Sequence, residues 1–228
     1  ARELAMHIGR TNSERQRVVD EVVVHARNSF KNMEKQSVIV LAHESYHEGV
    51  IGLAAAKLVE EFYRPAIVLS KKGKIAKASA RSIAGFNIIE AIRSLDDLYI
   101  EGGGHPMAAG FSIYTEKIEE FKKGINKIAE KLLTPEILLK KLTVDMELSF
   151  SMLTMKLCDE LKKFEPIGLG NPGPSFLSRK VEILDIRKVG RDAKHLKLRL
   201  KQDEHIFDSI FFGGGENYSK LTTGARVD

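Results

Sequence analysis

Three consecutive glycines, Gly102, Gly103 and Gly104, constrain the fold of this chain more than any other stretch. Glycine adopts backbone angles closed to other residues and leaves no side chain between the peptide N–H groups and an approaching ligand. His105 follows directly and adds a hydrogen-bond donor, or a cation when it is protonated. We interpret residues 100–111 as a loop that cradles a phosphate. The alternative is a glycine turn that His105 only caps.

The length and composition indicate two soluble domains. The 228 residues are enough for two hydrophobic cores, and the contents of 43% hydrophobic and 29% charged residues are ordinary for globular protein. No apolar run approaches the roughly 20 residues that cross a bilayer, which predicts no membrane partner. The N-terminus has no signal pattern and the single cysteine, Cys158, has no disulfide partner. These features predict a cytoplasmic location.

The first half of the sequence alternates between helical and strand patterns. Ser13 and Gln16 form a capping box, and apolar residues then recur at helical spacing, which predicts a helix beginning at Ser13. Residues 37–42 and 66–70 are short apolar runs typical of buried strands, and residues 50–62 between them are helical. A strand–helix–strand unit of this kind is typical of an α/β domain.

The segment His43-Glu44-Ser45-Tyr46-His47 matches the H-E-x-x-H signature of zinc proteases. That chemistry needs a helix, because only then do histidines four residues apart face the same metal ion. Here a strand pattern runs into His43 and a glycine follows His47 by two residues. We therefore interpret the segment as a loop between a strand and a helix, and keep the zinc protease as an alternative.

A basic stretch follows the second strand. Residues 71–82 contain four lysines and one arginine without an acid, and we predict a hairpin that ends in a turn at Ser79-Ala80-Arg81-Ser82. Lysines beside a turn commonly form only a solvated edge. However, Ser79, Arg81 and Ser82 provide hydroxyls and a guanidinium fork, which are donors suited to a phosphate.

The pattern changes from α/β alternation to strands near residues 135–140, which predicts a domain boundary. Three strand-like segments, at 181–189, 196–200 and 206–212, are spaced as in a small barrel or sandwich. Between Arg179 and Lys201 nine basic residues stand against three acids, which predicts a surface for a nucleic-acid backbone. The proposed nucleic-acid-binding residues are Arg179, Lys180, Arg187, Lys188, Arg191, Lys194, Lys197 and Arg199.

Four motifs together resemble the RecJ single-strand-specific exonucleases. They lie at residues 46–52, 79–82, 102–111 and 166–176, and their order and spacing are similar to the C-terminal half of that family. The resemblance implies a connecting helix (1–35), a DHH-associated α/β domain with a mixed sheet flanked by helices (36–135), and a small β-barrel of the OB-fold type (136–228). It also implies that the OB-fold is incomplete and that the chain is a piece cut at both ends.

In the family, single-stranded DNA is degraded in the 5′-to-3′ direction during repair and recombination. The resemblance implies that His105 and the three glycines contact the phosphate near the scissile bond, and that Ser79 and Arg81 bind the terminal phosphate. Ser82 is a further substrate-binding candidate. Manganese or magnesium is expected in an N-terminal DHH domain. This sequence contains neither Asp-His-His nor Asp-x-Asp, so we expect the chain to bind no metal and to be inactive alone. Further expected partners are a single-strand-binding protein or a helicase.

Two further functions stay open at the level of the sequence. The first is a phosphodiesterase of the same superfamily that acts on oligonucleotides or cyclic dinucleotides, which shares the Gly-Gly-Gly-His stretch. The strands after residue 176 argue against it, because a small substrate does not need an added barrel. The second is a single-strand-binding module without chemistry.

Overall fold

The structure is a computed structural model that describes residues 2–30, 36–168 and 170–228. The chain divides into two compact units, the first ending at Lys140 and the second beginning at Lys141. Of the predicted connecting segment 1–35, residues 2–30 are helical and residues 31–35 lie outside the described part. Within the described residues no helix combines the length and the apolar character needed to cross a membrane.

The first unit contains a sheet with helices on both faces. Its helices are α1 (Arg2–Phe30), α2 (Ile51–Phe62), α3 (Ile88–Arg93), α4 (Ile118–Leu132) and α5 (Pro135–Leu138). Its strands are β1 (Ile39–His43), β2 (Ala66–Lys72), β3 (Ile75–Arg81), β4 (Glu101–His105) and β5 (Ala108–Tyr114).

The sheet of the first unit is mixed, with the strand order β1-β2-β3-β5-β4. Strands β1 and β2 are parallel because α2 connects them, whereas the pairs β2–β3, β3–β5 and β5–β4 are antiparallel. The glycine-rich strand β4 therefore lies at the edge of the sheet. The mixed sheet and the flanking helices confirm the predicted α/β fold of this part of the chain.

Two hydrophobic cores lie on opposite faces of the sheet. Alternate residues of β2 point to opposite faces, so that Ala66 and Val68 pack with α1 and α2, whereas Ile67 and Leu69 pack with α3 and α4. Helix α4 buries a stripe of apolar residues at helical spacing. The stripe consists of Ile118, Phe121, Ile125 and Ala129. This arrangement leaves polar β3, β4 and β5 residues on the α2 face.

Three local predictions in this unit were wrong. The glycine stretch is not a loop, because Gly102, Gly103 and Gly104 lie within β4 and pair with residues of β5 in a hairpin. Pairing with a buried neighbour overrides the low strand propensity of glycine. Ser79 and Arg81 likewise lie in β3 rather than in a turn, and the first helix begins well before Ser13.

The second unit is built mainly from strands. They are β6 (Met146–Glu147), β7 (Phe176–Leu177), β8 (Val181–Val189), β9 (His195–Gln202), β10 (His205–Phe211) and β11 (Arg226–Val227). Strands β10, β9, β8 and β11 form an antiparallel sheet in that order, and β6 pairs with β7. Its core contains Ile183, Leu196 and Leu198. These strands agree with the predicted barrel-like OB domain.

A short helix and an irregular connection precede this sheet. The helix is α6 (Met155–Leu161), which begins after Thr154 because the Thr154 hydroxyl accepts a hydrogen bond from the Leu157 N–H and caps the helix there. The proline- and glycine-rich segment 164–176 is a connection with a cis peptide bond before Pro166, and Leu169 within it lies outside the described residues.

Candidate nucleic-acid interface

One face of the first unit's sheet carries three cross-strand rows of side chains. Directly opposite residues of neighbouring strands point to the same face. The rows on β3, β5 and β4 are Lys77–Ser112–Glu101, Ser79–Gly110–Gly103 and Arg81–Ala108–His105. Helix α2 packs on this face over β2 and β3, whereas Gly110, Gly103 and His105 are exposed. The rows therefore form an open polar surface beside α2, which we call the open face.

Arg81 is the cation best placed to bind an anion on the open face. Its side chain is half-buried, and Nη1 donates to the Ser79 Oγ at 3.1 Å and to the Ala80 carbonyl oxygen at 2.8 Å. No carboxylate lies within ion-pair distance of Arg81 among the described residues. A half-buried guanidinium loses hydration without gaining a counter-charge, so an anionic ligand compensates it better than solvent does.

The N-terminus of α2 lies against the same two side chains. A Cβ atom on Gly52 would be 3.0 Å from the Arg81 Nη2 and 3.1 Å from the Ser79 Oγ. No side chain caps this helix and no acidic residue lies in its first turn. The unpaired N–H groups and the positive end of the helix dipole favour an anion at this place. Gly52 leaves the space in which helix, hydroxyl and guanidinium come together.

The glycines of β4 and β5 differ in why they lack side chains. A Cβ atom on Gly102 would lie 2.6 Å from the Phe111 Cβ, and one on Gly104 would lie 2.3 Å from the Ala108 carbonyl oxygen. A Cβ atom on Gly103 would meet nothing within 4 Å, and one on Gly110 only the Ala78 carbonyl oxygen at 3.7 Å. Gly102 and Gly104 are thus required by packing, whereas Gly103 and Gly110 leave bare backbone toward solvent.

His105 ends β4 and is exposed. The Met107 N–H donates to its Nδ1 at 3.4 Å, a long hydrogen bond that resembles the turn cap considered above. With Nδ1 as acceptor, the neutral ring carries its proton on Nε2, which is free to donate to a ligand. His105 is two strands from Arg81 in the same row, or about 10 Å. The two donors therefore flank Ala108 and the bare backbone beside it.

Ser82 does not belong to the open face. Its side chain is buried, and its hydroxyl donates to the Phe86 carbonyl oxygen at 2.6 Å. The Ser82 N–H bonds the Met107 carbonyl oxygen at 2.9 Å. The structure thus places Ser82 in the connection after β3, where it fixes the turn against the β4–β5 hairpin.

The H-E-x-x-H segment is not helical. His43 ends β1, and residues 44–50 form the connection to α2. Tyr46 is buried, which raises its pKa to about 12, and its hydroxyl lies 2.6 Å from the His25 Nδ1. The His47 Nδ1 accepts from the Gly49 N–H at 3.1 Å and so shapes the entry to α2. Within the described ranges no group of three His, Cys, Asp or Glu side chains could hold a metal ion.

The basic residues of the second unit fall into two groups. Arg179 lies 2.8 Å from Glu147 and 3.4 Å from Asp228, and Lys197 lies 2.8 Å from Asp208. The remaining candidates have no carboxylate within ion-pair distance in the described part of the chain. They are Lys180, Arg187, Lys188, Arg191, Lys194 and Arg199. The charge available to a ligand is therefore smaller than the count along the sequence indicates.

The outer face of the β8–β9–β10 sheet shows where the free cations lie. Leu196 and Leu198 of β9 point into the core, so Lys197 and Arg199 point outward. Lys197 stands opposite Arg187, and Arg199 stands between Asp185 and Asp208. The hydrogen bond from Lys197, supported by the nearby arginines, lowers the pKa of Asp208. The acids thus offset Arg199, whereas the Arg187 end of the face is the more cationic.

Sequence reasoning missed these carboxylates because they come from distant segments. Glu147 precedes the basic stretch by more than thirty residues, and Asp208 and Asp228 follow it. It also missed the neighbourhood of Gly52, because only the packing of α2 on β3 brings that residue to Arg81. The alternation of β10 was a signal that could have placed Asp208 beside the basic strand.

Models of known protein families match the two units of the chain separately. Residues 23–131 match the family model of the DHHA1 domain, and residues 144–228 match that of the RecJ OB domain. The "Single-stranded-DNA-specific exonuclease RecJ" of Bacillus subtilis is 36% identical over 231 residues, which cover 100% of this chain. The chain belongs to the RecJ family. This result confirms the resemblance drawn from the four motifs.

Other RecJ proteins show the same relation. The RecJ of Thermus thermophilus is 30% identical over 88% of this chain. Its crystal structure in complex with Mn²⁺ matches 91% of the chain with a TM-score of 0.74 and 28% identity. A second structure, in complex with Mg²⁺, shows the same fold with a TM-score of 0.70. The chain spans 29% of the Bacillus subtilis protein and 30% of the Mn²⁺-bound chain.

Proposed function

We propose that this chain is the substrate-binding part of a RecJ exonuclease that degrades single-stranded DNA from a 5′ end. The observation that carries the proposal is the half-buried Arg81, which has no carboxylate partner and lies beside Ser79 and the uncapped N-terminus of α2. This donor set is suited to a terminal phosphate. The match to RecJ proteins over the whole chain supports the same function.

In the proposal, His105 binds a second phosphate of the substrate. Its Nε2 is free to donate to the phosphate at the scissile bond while Arg81 holds the terminal phosphate. The bare backbone at Gly103 and Gly110 lets the nucleotide between the two phosphates lie close to the sheet. Donors that are already in place when negative charge grows on the phosphate stabilise the transition state.

The described residues of this chain do not fit a divalent metal ion, because they contain no cluster of three suitable ligands. In the proposal, manganese or magnesium is held by a DHH domain outside this chain, and the chain supplies binding and charge neutralisation. The 228 residues alone are then inactive as a nuclease. The cations on β8 and β9 guide the strand, and a single-strand-binding protein or helicase is a further partner. The free, exposed Cys158 suits a reducing, cytoplasmic setting.

The test compares single-stranded oligonucleotides with a 5′ phosphate or a 5′ hydroxyl, titrated against the chain. We expect tighter binding of the phosphorylated end, and Arg81→Ala should remove that preference by weakening its binding about 10- to 100-fold. Arg81→Lys should recover only part of it, because lysine lacks the bidentate fork. The control is Arg93→Ala, an exposed arginine on α3 that pairs with Glu90 at 2.9 Å. Equal affinity of the wild-type chain for both ends would contradict the proposal.

A further inference from the structure

The open face carries a negative charge that the proposed function does not use. Of the described residues in its three rows, only Glu101 has a carboxylate. Its side chain is 73% exposed and lies 3.4 Å from the Lys77 Nζ. An ion pair this open to water contributes little to stability. Stability of the fold therefore does not account for a carboxylate on a surface proposed to bind phosphates.

The carboxylate of Glu101 is held through one of its two oxygens. Its Oε1 accepts from the Ser112 hydroxyl at 3.2 Å, and Ser112 is buried. The Lys77 Nζ donates to the Ser112 Oγ at 2.6 Å and supports the same oxygen of Glu101 at 3.4 Å. Among the described residues, no hydrogen bond or ion pair reaches the Oε2 of Glu101. Glu101 thus presents an oriented carboxylate with an unused acceptor.

The three rows place Glu101 at the opposite end of the open face from the two phosphate donors. Arg81 and His105 lie in one end row and Glu101 lies in the other. The row between them contains the bare Gly110 and Gly103. Glu101 and His105 are four residues apart on β4, or about 13 Å. This distance is close to the length of one nucleotide from its phosphate to the far edge of its base, with a hydrogen bond at each end.

A nucleotide with its phosphates at Arg81 and His105 can therefore lay its base over the two glycines and bring the edge of the base to Glu101. A carboxylate repels phosphate, so the part of the nucleotide that lies against it must donate hydrogen bonds. Guanine offers two adjacent donors, the ring N1–H and the exocyclic amino group, which match a carboxylate in a bidentate arrangement. Thymine offers one ring N–H between two carbonyl oxygens, which the carboxylate repels.

We infer that Glu101 reads the base of the 5′-terminal nucleotide and favours guanine there. Ser112 and Lys77 are positioning residues, because they orient the carboxylate through its Oε1. The inference rests on the proposed function, since the phosphates at Arg81 and His105 determine where the base lies. It adds a preference for the terminal base to a site that otherwise binds only the phosphates.

The experiment measures the affinity of the chain for 5′-phosphorylated oligothymidines that differ only in the 5′-terminal nucleotide. This nucleotide is deoxyguanosine, deoxyinosine, deoxyadenosine or thymidine. We expect the wild-type chain to bind the deoxyguanosine end about 5- to 30-fold more tightly than the thymidine end. The deoxyinosine end should bind with intermediate affinity, because its base keeps the ring N–H but lacks the amino group.

The substitution Glu101→Gln tests the reading of the base, because an amide has one acceptor and one donor. The edge of adenine offers the matching amino group and ring nitrogen. The preference should therefore move from the deoxyguanosine end to the deoxyadenosine end. A role of Glu101 limited to its ion pair with Lys77 would not produce this exchange. The control is Glu130→Gln on α4, which removes the same charge from an exposed glutamate and should leave the guanine preference unchanged.

The outcomes separate this inference from the proposed function. Equal affinity of the wild-type chain for all four ends would overturn it, and so would a guanine preference that persists in Glu101→Gln. Tighter binding of all four ends by Glu101→Gln in an unchanged order would overturn it too, because Glu101 would then only repel phosphate. The proposed function survives these results if the wild-type chain still prefers a phosphorylated thymidine end to a hydroxyl end. Absence of that preference would overturn both.

Discussion

Alanine substitutions in the glycine stretch should separate packing from binding. Gly103 and Gly110 face each other across β4 and β5. A methyl group on Gly103 would project into open space, and one on Gly110 would meet only the Ala78 carbonyl oxygen at 3.7 Å. Gly102→Ala is the control for Gly103→Ala, because a methyl group on Gly102 would lie 2.6 Å from the Phe111 Cβ. We therefore expect Gly103→Ala and Gly102→Ala to have opposite effects on stability, although the residues are adjacent.

The expected magnitudes follow from these distances. Replacing glycine by alanine inside a strand stabilises by roughly 0.5–1 kcal/mol when the methyl group meets no neighbour. This gain should raise the melting temperature of Gly103→Ala by about 1 to 4 °C. Overpacking costs about 1–3 kcal/mol, so Gly102→Ala should melt lower than the wild-type chain by several degrees.

The turnover of these variants should not follow their stability. In the proposed function the substrate lies on the backbone of Gly103 and Gly110, so a methyl group displaces it by about 1 Å or more. A displacement of this size costs on the order of 100-fold in turnover. Calorimetric melting of the chain and turnover of the full-length protein are measured for each variant. A Gly103→Ala protein that is more stable and fully active would refute the close approach of substrate.

Two further predictions concern charge and metal. The logarithm of the affinity for single-stranded DNA should fall with the logarithm of the salt concentration at a slope of roughly −3 to −4. Arg187→Ala should make this slope shallower by about 0.7. Arg179→Ala should change the slope less, because Glu147 and Asp228 already pair with Arg179. A slope near zero would contradict the role of these cations. The chain with manganese or magnesium should not degrade a single strand, since its described residues offer no metal cluster; metal-dependent degradation by a nuclease-free preparation would contradict this.

The sequence was informative where local patterns and tertiary structure agree. The buried runs that became β1 and β2 and the helix between them were predictable, because apolar residues on both sides of a short segment require a buried strand. The apolar spacing of α4 likewise required a helix on the sheet. The prediction of loops failed at Gly102 to Gly104, because the low strand propensity of glycine was outweighed by pairing with β5.

The candidate site was only partly predictable for a similar reason. Arg81, Ser79 and His105 could be chosen from their chemistry, and the structure brings all three to one face. Ser82 could not be separated from them, because its burial depends on the hairpin that packs over it. The roles of Gly103 and Gly110 also depend on tertiary structure. They differ from Gly102 and Gly104 only in the atoms that a side chain at each position would meet.

The substitution His105→Ala in the full-length protein decides whether His105 binds the substrate phosphate. If the free Nε2 stabilises phosphate charge, turnover should fall on the order of 100-fold while the melting temperature hardly changes. The rival role rests on the 3.4 Å bond from the Met107 N–H, whose loss would cost about 1 kcal/mol of stability. Kinetics and thermal unfolding are measured on the same preparation. An unchanged rate per folded molecule with a lowered melting temperature would contradict the assignment of His105 to the substrate phosphate.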